Sequence, residues 1–217
     1  MGTPNTVSPL LNGGSPYYLV NKSLRFRSSA SAYLNRTPSA SSRTTFTFSS
    51  WVKKSALGTN YAIFDAYSDA NNYCILKFAT DDTLVWYNQN GAATITLYLN
   101  TTQVFRDPSA WYHILVNYDS TQATSTNRAA IYVNGVKVTA FGTATYPSQN
   151  TTAWVNAAVP HDIGRYGGGS NYSDGYLAGI NFIDGQALTP SSFGAFDTNG
   201  IWQPIRYSGT YGTNGFY

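Results

Sequence analysis

The sequence predicts an all-β protein built from many short antiparallel strands, as in a sandwich or a barrel. Residues 111–118 (WYHILVNY) place Tyr112, Ile114, Val116 and Tyr118 on one side of an extended chain, and this period of two is typical of a strand with one face on a core. Residues 131–138 (IYVNGVKV) predict a hairpin, because Asn-Gly suits a two-residue turn with positive φ at both central positions. The composition agrees. Only 11% of the residues are charged and none is Glu, which disfavours helices.

Short strands separated by turn signals continue along the chain. Seven Asn-Gly or Asp-Gly pairs mark turns. The predicted strands are 23–27, 45–53, 61–66, 73–78, 84–87, 93–99, 111–118, 129–133, 136–139 and 176–183. Residues 101–110, 119–128 and 143–156 are expected to be loops. One short helical turn is predicted over 189–193, because Thr189 is a good N-cap and Pro190 a good first helical residue.

The length of 217 residues fits one domain, predicted over 23–217, preceded by an extended arm over 1–22. The arm is rich in Pro, Gly and polar residues. Such arms pack on a neighbouring subunit, and plain disorder is an equally good alternative. If the arm attaches the protein to a partner, Pro16, Tyr17 and Tyr18 are the candidate partner-binding residues.

Charge and hydropathy argue against several partners. The 13 Lys and Arg residues are scattered along the chain and form no basic stripe, so nucleic acid is not an expected partner. No stretch reaches eighteen consecutive apolar residues, so membrane insertion is not expected. The first residues lack the basic and apolar pattern of a secretory signal. Cys74 is the only cysteine, so an intramolecular disulfide is impossible, and burial is its expected role.

No catalytic, metal or cofactor site is predicted. Asp81 and Asp82 are adjacent, and neighbours on a strand point to opposite faces, so they cannot flank one glycosidic bond. His113 and His161 lack a serine-nucleophile motif and are expected to be structural. Two oxygen-rich clusters could supply some calcium ligands but lack a recognised ligand spacing. They are Asp65, Asp69, Asn71 and Asn72, and Asn171 with Asp174.

Several longer segments resemble one family. They are SLRFRSSASAYLNRTP, TFSSWVKKS, GYLAGINF, IDGQALTPSSFGAFD and GIWQPIRYSGTYGTNGFY. Together with the 111–138 pattern, they resemble the laminin-G-like, concanavalin A-like jelly-roll lectin domains of marine and cyanobacterial tailed-phage virion proteins. The resemblance runs from about Ser23 to Tyr217. Gly179 is a departure, since relatives often carry an acidic residue there. The resemblance implies a two-sheet jelly roll used for binding.

The leading functional expectation is a non-enzymatic virion surface protein, either a capsid decoration or head fibre or a tail fibre. It would be a homo-oligomer that contacts other virion proteins, on a particle made in the host bacterial cytoplasm. The alternative is a glycan-binding adhesin that recognises host surface polysaccharide, because aromatic faces cover sugar rings and polar side chains bond hydroxyls. The candidate glycan-binding residues are Trp154, Tyr166, Asn171, Tyr172 and Asp174. A polysaccharide-cleaving enzyme is the weakest of the three hypotheses.

Overall fold

The computed structural model describes residues 18–169 and 171–217, so Pro16 and Tyr17 lie outside the described residues. The regular secondary structure of those residues is almost entirely β-strand, with three single 3₁₀ turns at Ser28–Ala30, Ser125–Asn127 and Pro190–Ser192. The strands are β1 (Leu24–Phe26), β2 (Leu34–Arg36), β3 (Thr45–Lys54), β4 (Tyr61–Asp69), β5 (Asn72–Phe78), β6 (Thr83–Asn90), β7 (Ile95–Val104), β8 (Tyr112–Asp119), β9 (Ala129–Val133), β10 (Val136–Lys137), β11 (Phe141–Thr145), β12 (His161–Ile163), β13 (Arg165–Tyr166), β14 (Asn171–Tyr172), β15 (Gly175–Asp184), β16 (Gly194–Phe196) and β17 (Trp202–Pro204).

Two large antiparallel sheets form a sandwich, which confirms the predicted fold class. Sheet I has six strands in the order β1-β15-β3-β8-β9-β10, and sheet II has seven in the order β11-β7-β6-β5-β4-β12-β2. Two small two-stranded ladders, β13-β14 and β16-β17, lie outside these sheets. Neighbours in sheet order are often far apart in sequence, as when β15 adds beside β3 and β12 beside β4. Such crossovers are typical of jelly rolls.

Aromatic side chains from both sheets fill the space between them. The alternation predicted for β8 is confirmed, because Ile114, Val116 and Tyr118 are buried in the core. Phe48 of sheet I stacks on Phe64 of sheet II, with ring centroids 4.7 Å apart. Offset and edge-on aromatic pairs of this kind contribute about 0.5–1.5 kcal/mol beyond the burial of their area. The core therefore joins the sheets through specific ring contacts.

The hairpin predicted at Asn134-Gly135 is confirmed. Both residues have positive φ, at 47° and 81°, as a type I′ turn requires. Gly135 has a second role, since a Cβ atom there would lie 2.4 Å from the ring of Trp202. The turn is therefore both a connection between β9 and β10 and part of the surface on which the C-terminal segment packs.

Other predictions need correction. Strand β7 covers Ile95–Val104 and not 93–99, because Ala93 adopts a φ of 60° in the preceding turn. Residues 101–104 were predicted as loop and belong to this strand. Strand β11 (Phe141–Thr145) occupies part of the predicted loop 143–156. These edge segments are rich in Thr and mostly exposed, so they lack the apolar alternation that reveals a half-buried strand. The predicted hairpin strand 136–139 ends at Lys137.

The C-terminal segment covers the outer face of sheet I. Leu115 and Ile183 on that face form a buried cluster with Phe193, which follows the 3₁₀ turn predicted at 189–193. The helical turn is confirmed, and Thr189 makes no side-chain capping hydrogen bond to it. Tyr18 joins this layer, since its backbone N–H donates to Pro204 O at 2.8 Å and its hydroxyl lies 2.8 Å from that of Tyr217. Tyr18 is therefore held by hydrogen bonds against the C-terminal segment of its own chain.

Candidate functional site

Five tyrosines gather on the outer face of sheet II. Tyr67, Tyr73, Tyr87 and Tyr98 come from the adjacent strands β4 to β7, and Tyr166 comes from β13. The rings of Tyr73 and Tyr87 stack at 5.4 Å, and Tyr87 meets Tyr98 edge-on at 5.4 Å. Tyr166 stands edge-on to Tyr73 at 5.7 Å and to Tyr67 at 6.3 Å. We call the surface formed by these five residues the tyrosine groove.

Strand alternation and register produce this alignment. In β5, Cys74 and Leu76 point into the core, so Tyr73, Ile75 and Lys77 point outward. The buried state predicted for Cys74 is thereby confirmed. The register places Ile75 opposite Tyr87, Tyr87 opposite Tyr98, and Tyr67 opposite Tyr73. Outward tyrosines on neighbouring strands therefore become one row across the sheet.

Polar groups lie among the rings. The depression beside Tyr73, Tyr87 and Tyr98 has a volume of about 400 Å³, and Lys77 and Asn100 contribute to its lining. Asn100 Oδ1 is buried and has no hydrogen-bond partner among the described residues. Leaving a buried acceptor without a hydrogen bond costs free energy. A ligand hydroxyl that donated to Asn100 Oδ1 would remove that cost. Lys77 Nζ donates to Asn60 Oδ1 at 3.0 Å and lies 5.7 Å from the centroid of the Tyr166 ring.

The hydroxyls of Tyr73 and Tyr87 remain protonated under ordinary conditions. Burial raises the pKa of Tyr73 well above its usual value, and burial, followed by its tyrosine neighbours, raises the pKa of Tyr87 to about 12. The Tyr87 hydroxyl donates to Gln89 Oε1 at 2.8 Å. The groove therefore presents neutral hydroxyl groups that can donate and accept hydrogen bonds, together with flat ring faces.

A buried carboxyl group holds the Tyr166 wall of the groove in place. Asp65 is fully buried beneath the β13–β14 hairpin, and Gly167 N–H donates to its Oδ2. A Cβ atom on Gly167 would lie 2.2 Å from Tyr67 Cβ, so only glycine permits this approach. Burial raises the pKa of Asp65 to about 8, and the nearby Asp162 carboxylate acts in the same direction. The Asp65 carboxyl is therefore mostly protonated at neutral pH.

The other end of the hairpin is held by an ion pair. Arg165 Nε donates to Asp162 Oδ2 at 2.8 Å, and Asn35 Nδ2 donates to Asp162 Oδ1 at 2.6 Å. The Arg165 guanidinium also stacks 3.8 Å from the ring centroid of Tyr33. A stacked, hydrogen-bonded guanidinium is well suited to fixing a loop, because few of its conformers satisfy both contacts. Asp65 and Arg165 together fix the position of Tyr166.

Residues 26–192 match the sequence profile of the concanavalin A-like lectin/glucanase superfamily. The chain belongs to this superfamily. The matched residues include every strand that contributes to the tyrosine groove. The match confirms that the chain is a lectin-like jelly-roll domain, as the resemblance to that family implies. Among curated protein sequences, none matches the chain.

Solved structures of this superfamily fold are similar to the chain at low sequence identity. Laminin-G domains 4 and 5 of the mouse laminin alpha1 chain are 15% identical, with a TM-score of 0.51, over 86% of this chain and 48% of that one. Domain 4 of the arabinanase AbnA from Geobacillus stearothermophilus, in complex with arabinotriose, is 18% identical, with a TM-score of 0.50, over 70% and 65%. A mutant NanB sialidase from Streptococcus pneumoniae is 13% identical, with a TM-score of 0.53, over 81% and 28%. The chain thus spans less than two thirds of each, and the likeness shows the fold alone.

Of the glycan-binding residues predicted for this concanavalin A-like domain, the structure places only Tyr166 in the groove. Tyr172 packs on Tyr33 at 6.0 Å. Asn171 is exposed opposite Tyr166 in the β13–β14 ladder. Asp174 accepts hydrogen bonds from the backbone and hydroxyl of Ser28.

Trp154, the remaining predicted residue, lies away from the groove. The Arg43 guanidinium lies 5.1 Å from its ring centroid, and its backbone N–H donates to Asn88 Oδ1 at 3.0 Å. Sequence reasoning missed Tyr67, Tyr73, Tyr87 and Tyr98. The available signal was alternation, since Tyr73 and Lys77 fall on the strand positions opposite Cys74 and Leu76.

Both histidines are buried and hydrogen-bonded within the fold. Trp202 Nε1–H donates to His113 Nδ1 at 3.0 Å, so the ring proton is on Nε2, which donates to Ser49 Oγ at 2.8 Å. In this tautomer His113 cannot take a proton from Ser49, and burial lowers its pKa to about 3. His161 accepts from Asn156 N–H at 3.0 Å and bonds Val159 O at 2.8 Å. Neither ring is available as a general base.

The oxygen-rich clusters have local roles. Asp69 accepts from the backbone of Asn71 and the side chain of Asn72, as expected in a turn. Across residues 18–169 and 171–217, no group of three or more His, Cys, Asp or Glu side chains could hold a metal ion. The same residues include no helix of the length and apolarity needed to cross a bilayer.

The raised pKa of Asp65 predicts a pH-dependent stability difference. Between about pH 4 and pH 8 the folded protein keeps a proton that the unfolded chain releases, so this group's stabilising contribution falls as pH rises. Asp65→Asn keeps an acceptor for Gly167 N–H and does not titrate. Its unfolding free energy relative to wild type should therefore rise with pH by up to about 1.4 kcal/mol per unit. Urea denaturation at pH 4.5, 6 and 7.5 measures this.

Asp69→Asn is the matched control. Asp69 is exposed, and its hydrogen bonds from Asn72 and Asn71 lower its pKa. Its substitution should leave the pH profile parallel to that of wild type over the same range. A parallel profile for Asp65→Asn would contradict the assignment of a protonated Asp65.

Proposed function

We propose that this concanavalin A-like domain is a non-catalytic glycan-binding module and that the tyrosine groove is its ligand site. The observation that carries the proposal is the row of five tyrosines, which offers ring faces and neutral hydroxyls side by side on an open sheet surface. Aromatic groups with an apolar face and a polar edge suit sugars, whose rings also have apolar faces and hydroxyl edges. Asn100, whose buried Oδ1 has no hydrogen-bond partner among the described residues, lines the same depression.

The charge of the groove favours a neutral sugar chain. Lys77 is the single cation in the lining of the depression, and Asp81 lies at its rim. The buried Asp65 is mostly protonated, so it adds little charge beneath the surface. A strongly anionic polysaccharide would gain only one cationic contact here and would meet the Asp81 carboxylate. We therefore propose a neutral polysaccharide as the ligand.

The carboxyl groups near the groove support binding over cleavage. Retaining hydrolysis requires two carboxyls about 5–5.5 Å apart facing one bond, and one of them must be free to attack. Asp65 lies beneath the floor and bonds Gly167, while Asp162 is held by Arg165 and Asn35. Asp81 accepts hydrogen bonds from the backbone and hydroxyl of Thr83. Each of these carboxyls therefore has a structural partner.

The arabinanase domain described above supports the proposal at the level of the fold. Its structure is in complex with arabinotriose, so a domain of this architecture holds an oligosaccharide. At 18% identity the comparison does not transfer the sugar or the contact residues. Arabinotriose is nonetheless a rational first probe beside other neutral oligosaccharides.

Substitutions in the groove test the proposal. Tyr87→Ala removes the central ring of the row and should weaken the binding of a neutral oligosaccharide by about ten-fold or more, equivalent to about 1.4 kcal/mol. Tyr87→Phe keeps the ring and should weaken binding less. Isothermal titration calorimetry against a panel of neutral and acidic oligosaccharides, including arabinotriose, provides the measurement.

Tyr176→Ala is the matched control, because Tyr176 lies on β15 of sheet I and packs on Trp111, away from the groove. Its affinity should stay within about two-fold of wild type. If Tyr176→Ala loses as much affinity as Tyr87→Ala, the ligand site lies on sheet I and not in the groove. Failure of the folded wild-type protein to bind any member of the panel would refute glycan binding.

We also propose that the module is displayed on a tailed-phage particle, where the glycan would be a host surface polysaccharide. The sequence segments that resemble virion proteins support this proposal. Three of them form β15 and the C-terminal layer over sheet I. We propose assembly as a homo-oligomer on the capsid or tail, with attachment through the N-terminal arm.

Deletion of residues 1–17 tests attachment, because it leaves the hydrogen bonds of Tyr18 to Pro204 and Tyr217 intact. The truncated protein should fold with an unchanged melting temperature and should not join particles. On purified particles that carry the full-length protein, gold-labelled antibody should mark the capsid or the tail. Particles prepared with the truncated protein should not be labelled. Equal labelling with the truncated protein would contradict attachment through the arm, and no labelling with either would contradict virion display.

A further inference from the structure

An apolar cleft opens at the opposite side of sheet II from the tyrosine groove. It lies between the edge strand β2 and the C-terminal residues, and its volume is about 220 Å³. Its walls are almost wholly apolar, formed by Leu34, Phe64, Ile163, Phe182 and Phe216. Phe64 neighbours Asp65 in β4, so its side chain points into the sandwich while Asp65 lies on the groove side. The two sites are therefore separated by the sheet.

Aromatic rings give the cleft a fixed shape. Phe182 lies 5.7 Å from both Phe64 and Phe216, measured between ring centroids. Phe216 is tied down by two backbone hydrogen bonds to Phe182, each 3.0 Å long. Phe216 and Asn214 lie beyond residues 26–192, so the cleft depends on residues outside the superfamily match. Part of the cleft wall therefore comes from the C-terminal residues that follow the matched region.

The cleft is large enough to admit a small ligand. Interiors are close-packed, with few voids larger than a water molecule. An apolar cavity of about 150 Å³ stays dry and binds benzene. A cleft of about 220 Å³ therefore has room for one aromatic ring with a short chain, and filling it would remove apolar surface from water.

One cationic group stands at the mouth. Arg36 of β2 lines the cleft and uses a single Nη1 hydrogen bond, 3.0 Å long, to Asn214 O. It makes no ion pair with any acidic group in the described part of the chain. Its remaining N–H groups are free to bind a carboxylate in the forked geometry that guanidinium favours. His161, also at the rim, has both ring nitrogens hydrogen-bonded.

We propose that this cleft is a second ligand site, which binds a small carboxylic acid whose other end is an aromatic ring or a short alkyl chain. The apolar end lies against Phe64, Ile163 and Phe182, and the carboxylate pairs with Arg36. Asp162 does not oppose this charge, because its side chain is on the groove side and is paired with Arg165. The proposal is independent of glycan binding at the tyrosine groove.

Three matched probes test the proposal on the full chain. They are 3-phenylpropionate, the neutral 3-phenylpropanol and the cationic 3-phenylpropylamine. Binding is followed by NMR through the methyl signals of Ile163, which lines the cleft, and of Ile75, which lies under the tyrosine groove. The acid should shift the Ile163 signal saturably, leave the Ile75 signal unchanged, and bind about ten-fold more tightly than the alcohol. The amine should bind most weakly.

Arg36→Gln should weaken the binding of the acid by about ten-fold and leave the affinity for the alcohol within about two-fold of wild type. The matched control is Arg25→Gln, which removes an arginine that stacks on Tyr176 in sheet I. It should change neither affinity. Both positions are exposed, so the variants are expected to keep the wild-type melting temperature.

Leu34→Trp provides a second variant, because Leu34 is 46% exposed on an edge strand and a larger ring there narrows the mouth. This variant should weaken the binding of the acid and of the alcohol to the same extent. The proposal is overturned if the Ile163 signal does not saturate with any probe, if Ile75 responds in its place, or if acid and alcohol bind equally in wild type and Arg36→Gln.

Discussion

Face-to-face aromatic packing between the two sheets is the constraint on which the rest of the structure depends. Phe48 and Phe64 stack across the interface, and Phe46 meets Trp86 edge-on at 6.3 Å. Burying one such side chain stabilises the fold by about 1.5–3 kcal/mol. Every second residue of the long strands points into this core, so the alternate residues form the outer faces of the sandwich. The two outer faces have different structures.

The outer face of sheet I has become a second packing surface. His113 accepts a hydrogen bond from the Trp202 indole N–H and donates its own ring N–H to Ser49, which joins the C-terminal layer to the sheet. The outer face of sheet II remains open and carries tyrosines. The covered face of sheet I supports the fold. The exposed face of sheet II carries rigid aromatic side chains, which lose little conformational entropy when a ligand binds. This division of roles is the physical basis of the proposed glycan-binding function.

The sequence predicts best what depends on local pattern. The alternation in β8 and the Asn134-Gly135 turn were predicted correctly because neighbouring residues determine them. The groove could not be predicted, because it depends on sheet order and on contacts between distant residues. Gly167 meets Asp65 across 102 positions, and only the strand order places Tyr73 beside Tyr87 and Tyr98. Edge strands such as β11 were missed because exposure on both faces removes the alternation.

The most direct test of the central claim is NMR with ring-labelled tyrosine, titrated with a neutral oligosaccharide that binds the protein. The account predicts that ring signals of the groove tyrosines, Tyr73, Tyr87 and Tyr98 above all, shift on binding. The signals of Tyr207 and Tyr211, in the C-terminal layer over sheet I, should stay unchanged. Shifts confined to Tyr207 and Tyr211 would contradict the account and would make the C-terminal layer the ligand surface.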